Sequence, residues 1–330
     1  MIVKTIDQGW GQHVPLKQFE TEILDQFLAT TANDDSRTVV INSTWYTDDL
    51  HQQTLSWLSR SDTDRIVLVS MLDGPISRPD WYAGTSIPCH GVGYYPGNNE
   101  IDFWALVVSR WFQLPSLHDL VDTSKITKPF ICLNRKPHNH RVRLYNDLLE
   151  LDLLDRGLVS LGSDHGVAIR TIENDQGRSD LAPNADTNQN GIANDIMSLG
   201  NVDNWCHCFL DVVTETVFDV DQDWFVSEKI YKPILGLRPF LLYSPNGGRG
   251  WLRAHGFRDY VDDFRDITDL DLSDPAEIPK FLLVLSEQSV SYLRTKYIDL
   301  MPKIMYNNKR FDAYVQEINN TIQRGIKCPI

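Results

Sequence analysis

The sequence predicts an α/β protein built of two Rossmann-like domains facing across a cleft. Short apolar, β-branched runs alternate with helical stretches in two successive blocks, the pattern of parallel sheets covered by helices. At 330 residues with 42% hydrophobic content, the chain can bury a full core, and its length favours two domains over one. The division is expected near residues 123–128, giving a first domain of residues 1–125 and a second of residues 126–330.

In the first block, residues 38–42, 65–70 and 103–108 are runs bounded by turn residues, as buried parallel strands are. Between the first two, Leu50, Leu55 and Leu58 fall on one helix face within residues 48–58. The second block is more strongly punctuated. Residues 130–133 read as a strand, 141–156 as a helix stopped by Gly157, and 158–161 and 208–213 as two further strands. Residues 173–204 read as an insertion. A helix then opens at Ser227, short or kinked because Pro233 removes an N–H within its first turns. A strand at 240–243 follows, and the Gly-rich loop 244–250 leads into a helix over 250–255 closed by Gly256. That loop has neither a Walker nor a dinucleotide spacing, so it is equally a plain strand-to-helix turn or a loop touching a ligand. Two helical stretches, 274–296 and 304–324, end the chain. The last carries Phe311, Tyr314, Val315, Ile318 and Ile322 near helical spacing, a stripe suited to packing along a domain face.

A formal net charge of -14 disfavours a duplex nucleic-acid footprint, which requires a basic face. The first residues lack the charged start and apolar run of a signal peptide, and no stretch approaches bilayer length, so a soluble, cytoplasmic protein is expected. Five scattered cysteines, Cys89, Cys132, Cys206, Cys208 and Cys328, argue against a disulfide framework. Alternation along a strand would place the sulfurs of Cys206 and Cys208 on one face and His207 on the other, which favours buried thiols over a metal site. The Asp-x-Asp pattern of Asp219, Asp221 and Asp223 reads as a solvated loop. The calcium-like run from Asp186 to Gly191 has Met197 where a bidentate Glu belongs. No metal site is expected.

The most informative run is Phe225-Val226-Ser227-Glu228-Lys229-Ile230-Tyr231-Lys232-Pro233, followed by Arg238-Pro239-Phe240. Ser227 can cap a helix whose first N–H groups and dipole favour a phosphate. From Ser227 to Arg258 the only acid is Glu228, against Lys229, Lys232, Arg238, Arg249, Arg253 and Arg258. Such a reversal of sign in an acidic chain suits a small polyanionic ligand.

Residues 209–216, the Ser-Glu-Lys run and Arg238-Pro239-Phe240 together resemble the donor-binding half of the alpha-1,3-fucosyltransferase family. Upstream, residues 128–135 and the run Arg141-Val142-Arg143-Leu144-Tyr145-Asn146-Asp147-Leu148 are similar to that family's strand, turn and Arg-bearing helix. The likeness covers roughly residues 126–270, and similar helices occur in glycosyltransferases inferred from viral genomes. One departure is Thr216-Val217-Phe218, where the family has Asn-Ser. The resemblance implies a GT-B fold and an inverting, metal-independent transfer from a nucleotide-diphosphate sugar, such as a GDP-sugar, to a hydroxyl acceptor such as a carbohydrate, with no other cofactor. Arg141 and Lys229 would then neutralise charge on the leaving β-phosphate. Glu228 would take the ribose hydroxyls and Glu215 would face the donor sugar, with Asn134, Ser227, Tyr231 and Lys232 also at the donor. The general base would come from the first domain, where Asp73, Glu100 and Asp102 are alternatives. Trp81, Tyr82, Tyr94 and Tyr95 could stack on an acceptor sugar. Two other readings share the donor half: a non-catalytic nucleotide-binding or structural module, and a viral DNA-base glycosyltransferase. The second predicts a basic groove, yet residues 1–125 contain no dense Lys or Arg cluster.

Overall fold

A computed structural model describes residues 102–162, 169–171, 198–215, 218 and 227–324, together with Glu22 and four strands of the first part of the chain. The chain divides into two compact units, Met1–Ser109 with Tyr314–Ile330, and Arg110–Ala313. It is a mixed α/β protein.

The first unit holds an all-parallel sheet of β1 (Thr5–Gln8), β2 (Thr38–Ser43), β3 (Arg65–Ser70) and β4 (Cys89–Gly93), in the order β1-β2-β3-β4. The strand expected over residues 103–108 is instead a helix, α1 (Phe103–Trp111). Asp102 sets it, because its Oδ1 accepts the Ala105 N–H at 2.9 Å, as a helix cap does. Trp104, Ala105, Leu106, Val107 and Val108 are all buried, so the run carries no polar face to reveal its period. The helix expected over residues 48–58 lies outside the described residues.

The second unit holds β5 (Lys128–Asn134), β6 (Leu158–Leu161), β7 (Cys208–Val213) and β8 (Phe240–Leu242), all parallel, in the order β6-β5-β7-β8. Ile131 sits opposite Leu158, Phe130 opposite Leu210 and Val212 opposite Leu241. Every residue of β7 is buried, as befits a central parallel strand covered on both faces. The chain steps from β5 to β6 on one side, then returns to lay β7 on the other. That reversal defines a topological switch point at the carboxyl ends of β5 and β7, the position at which open α/β sheets bind their ligands.

Helices α2 (Leu117–Val121), α3 (Asn139–Glu150), α4 (Val202–His207), α5 (Glu228–Leu235), α6 (Arg249–Ala254), α7 (Ile278–Ser286) and α8 (Val290–Arg324) complete the described elements. Three depart from expectation. Helix α3 stops at Glu150, where Asp152 takes a left-handed conformation (φ 55), and not at Gly157. Gly157 serves a different need: a Cβ there would lie 2.4 Å from the Phe130 ring. Cys206 and His207 end helix α4 instead of lying on a strand, and the Asn201 side chain caps that helix. The terminal helix runs unbroken through Pro302, and the interruption falls between α7 and α8. The N–H that Pro302 lacks would have met the carbonyl of Ile298, a residue 58% exposed, while Tyr297, Leu300 and Ile304 remain buried on the packed side.

Candidate functional site

The candidate site is built where β5 and β7 end. Asn134 closes β5 with its side chain buried, and its Oδ1 accepts the hydroxyl of Thr214, the first residue past β7. Its carbonyl accepts the Gly162 N–H at 2.8 Å. Asn134 thus knits the strand ends together. From the β5–α3 turn, buried Arg141 reaches across: Nη2 donates to the carbonyls of Thr214 and Glu215, each at 3.0 Å, and Nη1 to that of Lys136 at 3.3 Å. The His140 Nε2 lies 2.8 Å from the same Glu215 carbonyl.

The start of α5 is tied to this point through side chains. The Glu215 carboxylate accepts the Ser227 N–H at 3.1 Å and the Ser227 hydroxyl at 2.5 Å. Ser227 Oγ in turn accepts the Lys229 N–H at 3.4 Å, the helix cap that the sequence predicts. Lys229 Nζ folds back to donate to Ser227 Oγ at 3.0 Å and to Glu228 Oε1 at 2.8 Å. Residues far apart in sequence, Arg141, Glu215 and the Ser227–Lys229 run, therefore meet at one strand end.

Their electrostatics differ sharply. Burial pushes Glu215 up to about 7, against the pull of Lys229 and the Ser227 hydroxyl, and the Glu228 charge adds to the rise. Burial would also raise Glu228, but Lys229, by charge and hydrogen bond, and then Lys232 override it and hold that carboxylate at about 2. Two neighbouring acids are thus held in opposite states, one poised near neutrality and one firmly ionised.

Most of the other residues expected at the site lie elsewhere, Lys232 excepted. Tyr231 is fully buried, its ring packed 5.0 Å from Phe311 and 6.3 Å from Trp251 between centroids, in the core behind the helix. Lys232 is half-buried on α5, near enough to act on Glu228. The expected basic cluster is largely dispersed. Arg238 is buried and donates to the carbonyls of Cys206, Cys208, Leu120 and Leu237 and to the Tyr297 hydroxyl. Arg249 pairs with Asp259 at 3.1 Å and Asp262 at 2.7 Å, and Arg258 lies 3.8 Å over the Tyr306 ring. The partner acids stand just past Arg258 in sequence, so the apparent sign reversal partly closes when the chain folds.

The loop 244–250 forms a 3-10 turn over Pro245–Gly248, with Gly248 left-handed at φ 61 against the Leu242 side chain. Asp102 caps α1 through Oδ1 while Oδ2 accepts the Tyr314 hydroxyl at 3.2 Å. Asp73, Glu100, Trp81, Tyr82, Tyr94, Tyr95, residues 219–223 and residues 186–197 lie outside the described residues. The Cys206 thiol donates to the Asp119 carbonyl, and burial pushes both the Cys206 and Cys208 thiols up, which keeps them protonated. Among the described residues, no group of three or more His, Cys, Asp or Glu is arranged to hold a metal ion. No described helix is long and apolar enough to cross a membrane.

Sequence reasoning missed a row of rings beside the start of α3. The rings of His138 and His140 stack with centroids 6.0 Å apart, His140 stacks on Phe218 at 5.2 Å, and Phe218 meets Tyr243 at 5.4 Å. The available signals were the two histidines flanking Asn139 at a helix start and Phe218 at the point of departure from the fucosyltransferase pattern. Comparisons with protein-family models, with curated proteins and with solved structures return no match. What the geometry defines is an α/β protein whose second unit carries a Rossmann-like parallel sheet with cationic side chains at its switch point.

Proposed function

We propose that the chain is a glycosyltransferase of GT-B form, related to the alpha-1,3-fucosyltransferases and their viral counterparts, that moves a sugar from a nucleoside-diphosphate donor to a hydroxyl acceptor of carbohydrate class, in the cytoplasm. The observation that carries this reading is the meeting of the Ser227-capped start of α5, Lys229 and Arg141 at the carboxyl ends of β5 and β7. A switch point with a helix start and fixed cations suits a pyrophosphate.

In the transfer, the acceptor oxygen bonds to the anomeric carbon as the bond from that carbon to the β-phosphate oxygen breaks. The electron pair leaves with the nucleoside diphosphate, and the hydroxyl proton passes to a carboxylate. Lys229 answers the charge that grows on the leaving group, and swings to it from Glu228. Arg141, engaged with main-chain carbonyls, contributes as a fixed positive charge and as a clamp on the end of β7. Asp73, Glu100 and Asp102 are the alternative general bases of this proposal, and of these Asp102 caps α1 through Oδ1. The inverting course and independence from metal come from the family resemblance.

Calorimetry with guanosine and uridine diphosphates, followed by donor-sugar hydrolysis, tests the reading. Binding that weakens at least about ten-fold in Lys229→Ala, with slow hydrolysis lost in parallel, is expected. A wild-type protein that no nucleoside diphosphate binds would overturn it. Binding without hydrolysis or transfer would favour a non-catalytic nucleotide-binding module, a reading helped by the fact that Glu215, Glu228 and Asp102 are all engaged.

A further inference from the structure

The β5–α3 turn carries a titratable group with no part in the reading above. His138 stands at the N-cap of α3, yet its side chain makes no capping hydrogen bond. Its Nε2 is buried and meets no hydrogen-bond partner among the described residues. The ring lies nearly parallel to that of His140, at 9°. Burial bears on it first, then Arg141 and His140 from α3, Lys136 from the turn, and Lys229 from α5. They push the imidazole down to about 4, so it is neutral near pH 7.

A neutral imidazole among positive groups repels a cation but welcomes an anion. Phosphate oxygens brought beside Lys229 and Arg141 would reverse the local field and supply an acceptor for a ring N–H. We propose that His138 is a phosphate-contacting residue of this site, which takes up a proton as a diphosphate binds, turns its ring out of the surroundings that now enclose Nε2, and donates the Nε2–H to a phosphate oxygen. The proton comes from solvent on binding and returns to it on release, so the ring carries charge only while the anion is present. By linkage, affinity rises as pH falls through the range in which the bound-state imidazole titrates. The inference rests on the phosphate-binding reading and names one more residue of that site.

The test is calorimetry of the full chain with guanosine diphosphate, uridine diphosphate and inorganic pyrophosphate at pH 7, in buffers of different ionisation enthalpy. Proton uptake is compared between wild type and His138→Asn, which cancels the ligand's own titration, and the His138 ring resonance is followed by NMR. Greater uptake by wild type, a ring resonance that moves to the protonated position in the complex, and affinity about ten-fold weaker in His138→Asn are expected. Binding with equal uptake in the two proteins, or with an unmoved His138 resonance, overturns the proposal while leaving the phosphate site standing. Absence of binding by all three probes overturns both. A His138→Gln variant repeats the comparison if the Asn form proves unstable.

Discussion

Arg238 illustrates how a charge in the sequence differs from a charge at a site. Its guanidinium is 1% exposed and donates to four main-chain carbonyls and the Tyr297 hydroxyl, with the Tyr297 ring 5.1 Å beneath it. Carbonyl dipoles offset its desolvation, and it holds together the starts of β7 and β8, the end of α2 and helix α8. Arg238→Met would leave those acceptors buried and unmet. It is expected to cost about 3–5 kcal/mol, read as a lower urea midpoint at an unchanged slope. A cost under about 1 kcal/mol would show that Arg238 is no hub. Glu228 makes the complementary case. Its folded value lies near 2 against an ordinary 4.5, so its contribution is fully present above pH 4.5 and is lost as pH falls toward 2. Glu228→Gln should therefore flatten the acid limb of the stability curve between those values. An unaltered limb would show that Lys229 does not hold the carboxylate ionised.

At the scale of elements, the join between β7 and α5 depends on one buried carboxylate. Glu215 is raised to about 7 from 4.5, so between these values the folded chain retains a proton that the unfolded chain has released. Stability from this group must fall as pH rises from 4.5 to 7, then level off, by about 3 kcal/mol in all. Glu215→Gln, which keeps an acceptor for the Ser227 N–H, should remove that slope in denaturation curves at pH 5 and 7.5; a slope that persists would place the proton elsewhere. The sequence made this join partly legible. Ser227 as a cap and the strand before it follow from local chemistry, whereas the pairing of Glu215 with Ser227 spans twelve residues and has no local signal. The same limit explains α1. Five consecutive buried apolar residues hide their period, and only Asp102, read as a cap, distinguishes helix from strand. Conversely, β4 is Cys-His-Gly-Val-Gly, a strand by its neighbours and not by propensity. Pro302 misleads in the other direction, because the long buried stripe of α8 carries the helix past it.

For the whole molecule, the central fact is a net charge of -14 on a chain that still gathers Lys136, Arg141, Lys229 and Lys232 about one strand end. General electrostatics would repel a polyanion, so any affinity for one must come from short-range, fixed contacts at the switch point. A diphosphate held there stabilises only the folded chain, and at about 100 times its Kd it should add about 2.7 kcal/mol. That gain has an expected location. Amide hydrogen exchange should slow at residues 135–142 and 227–232, where the turn and the helix start meet the ligand, and much less in α7, which takes no part in the site. Slowing at α7 equal to that in the β5–α3 turn, or slowing absent from both site segments, would mean that the anion binds somewhere other than the ends of β5 and β7. The topological argument for the site would then fail even though the sheet order stands.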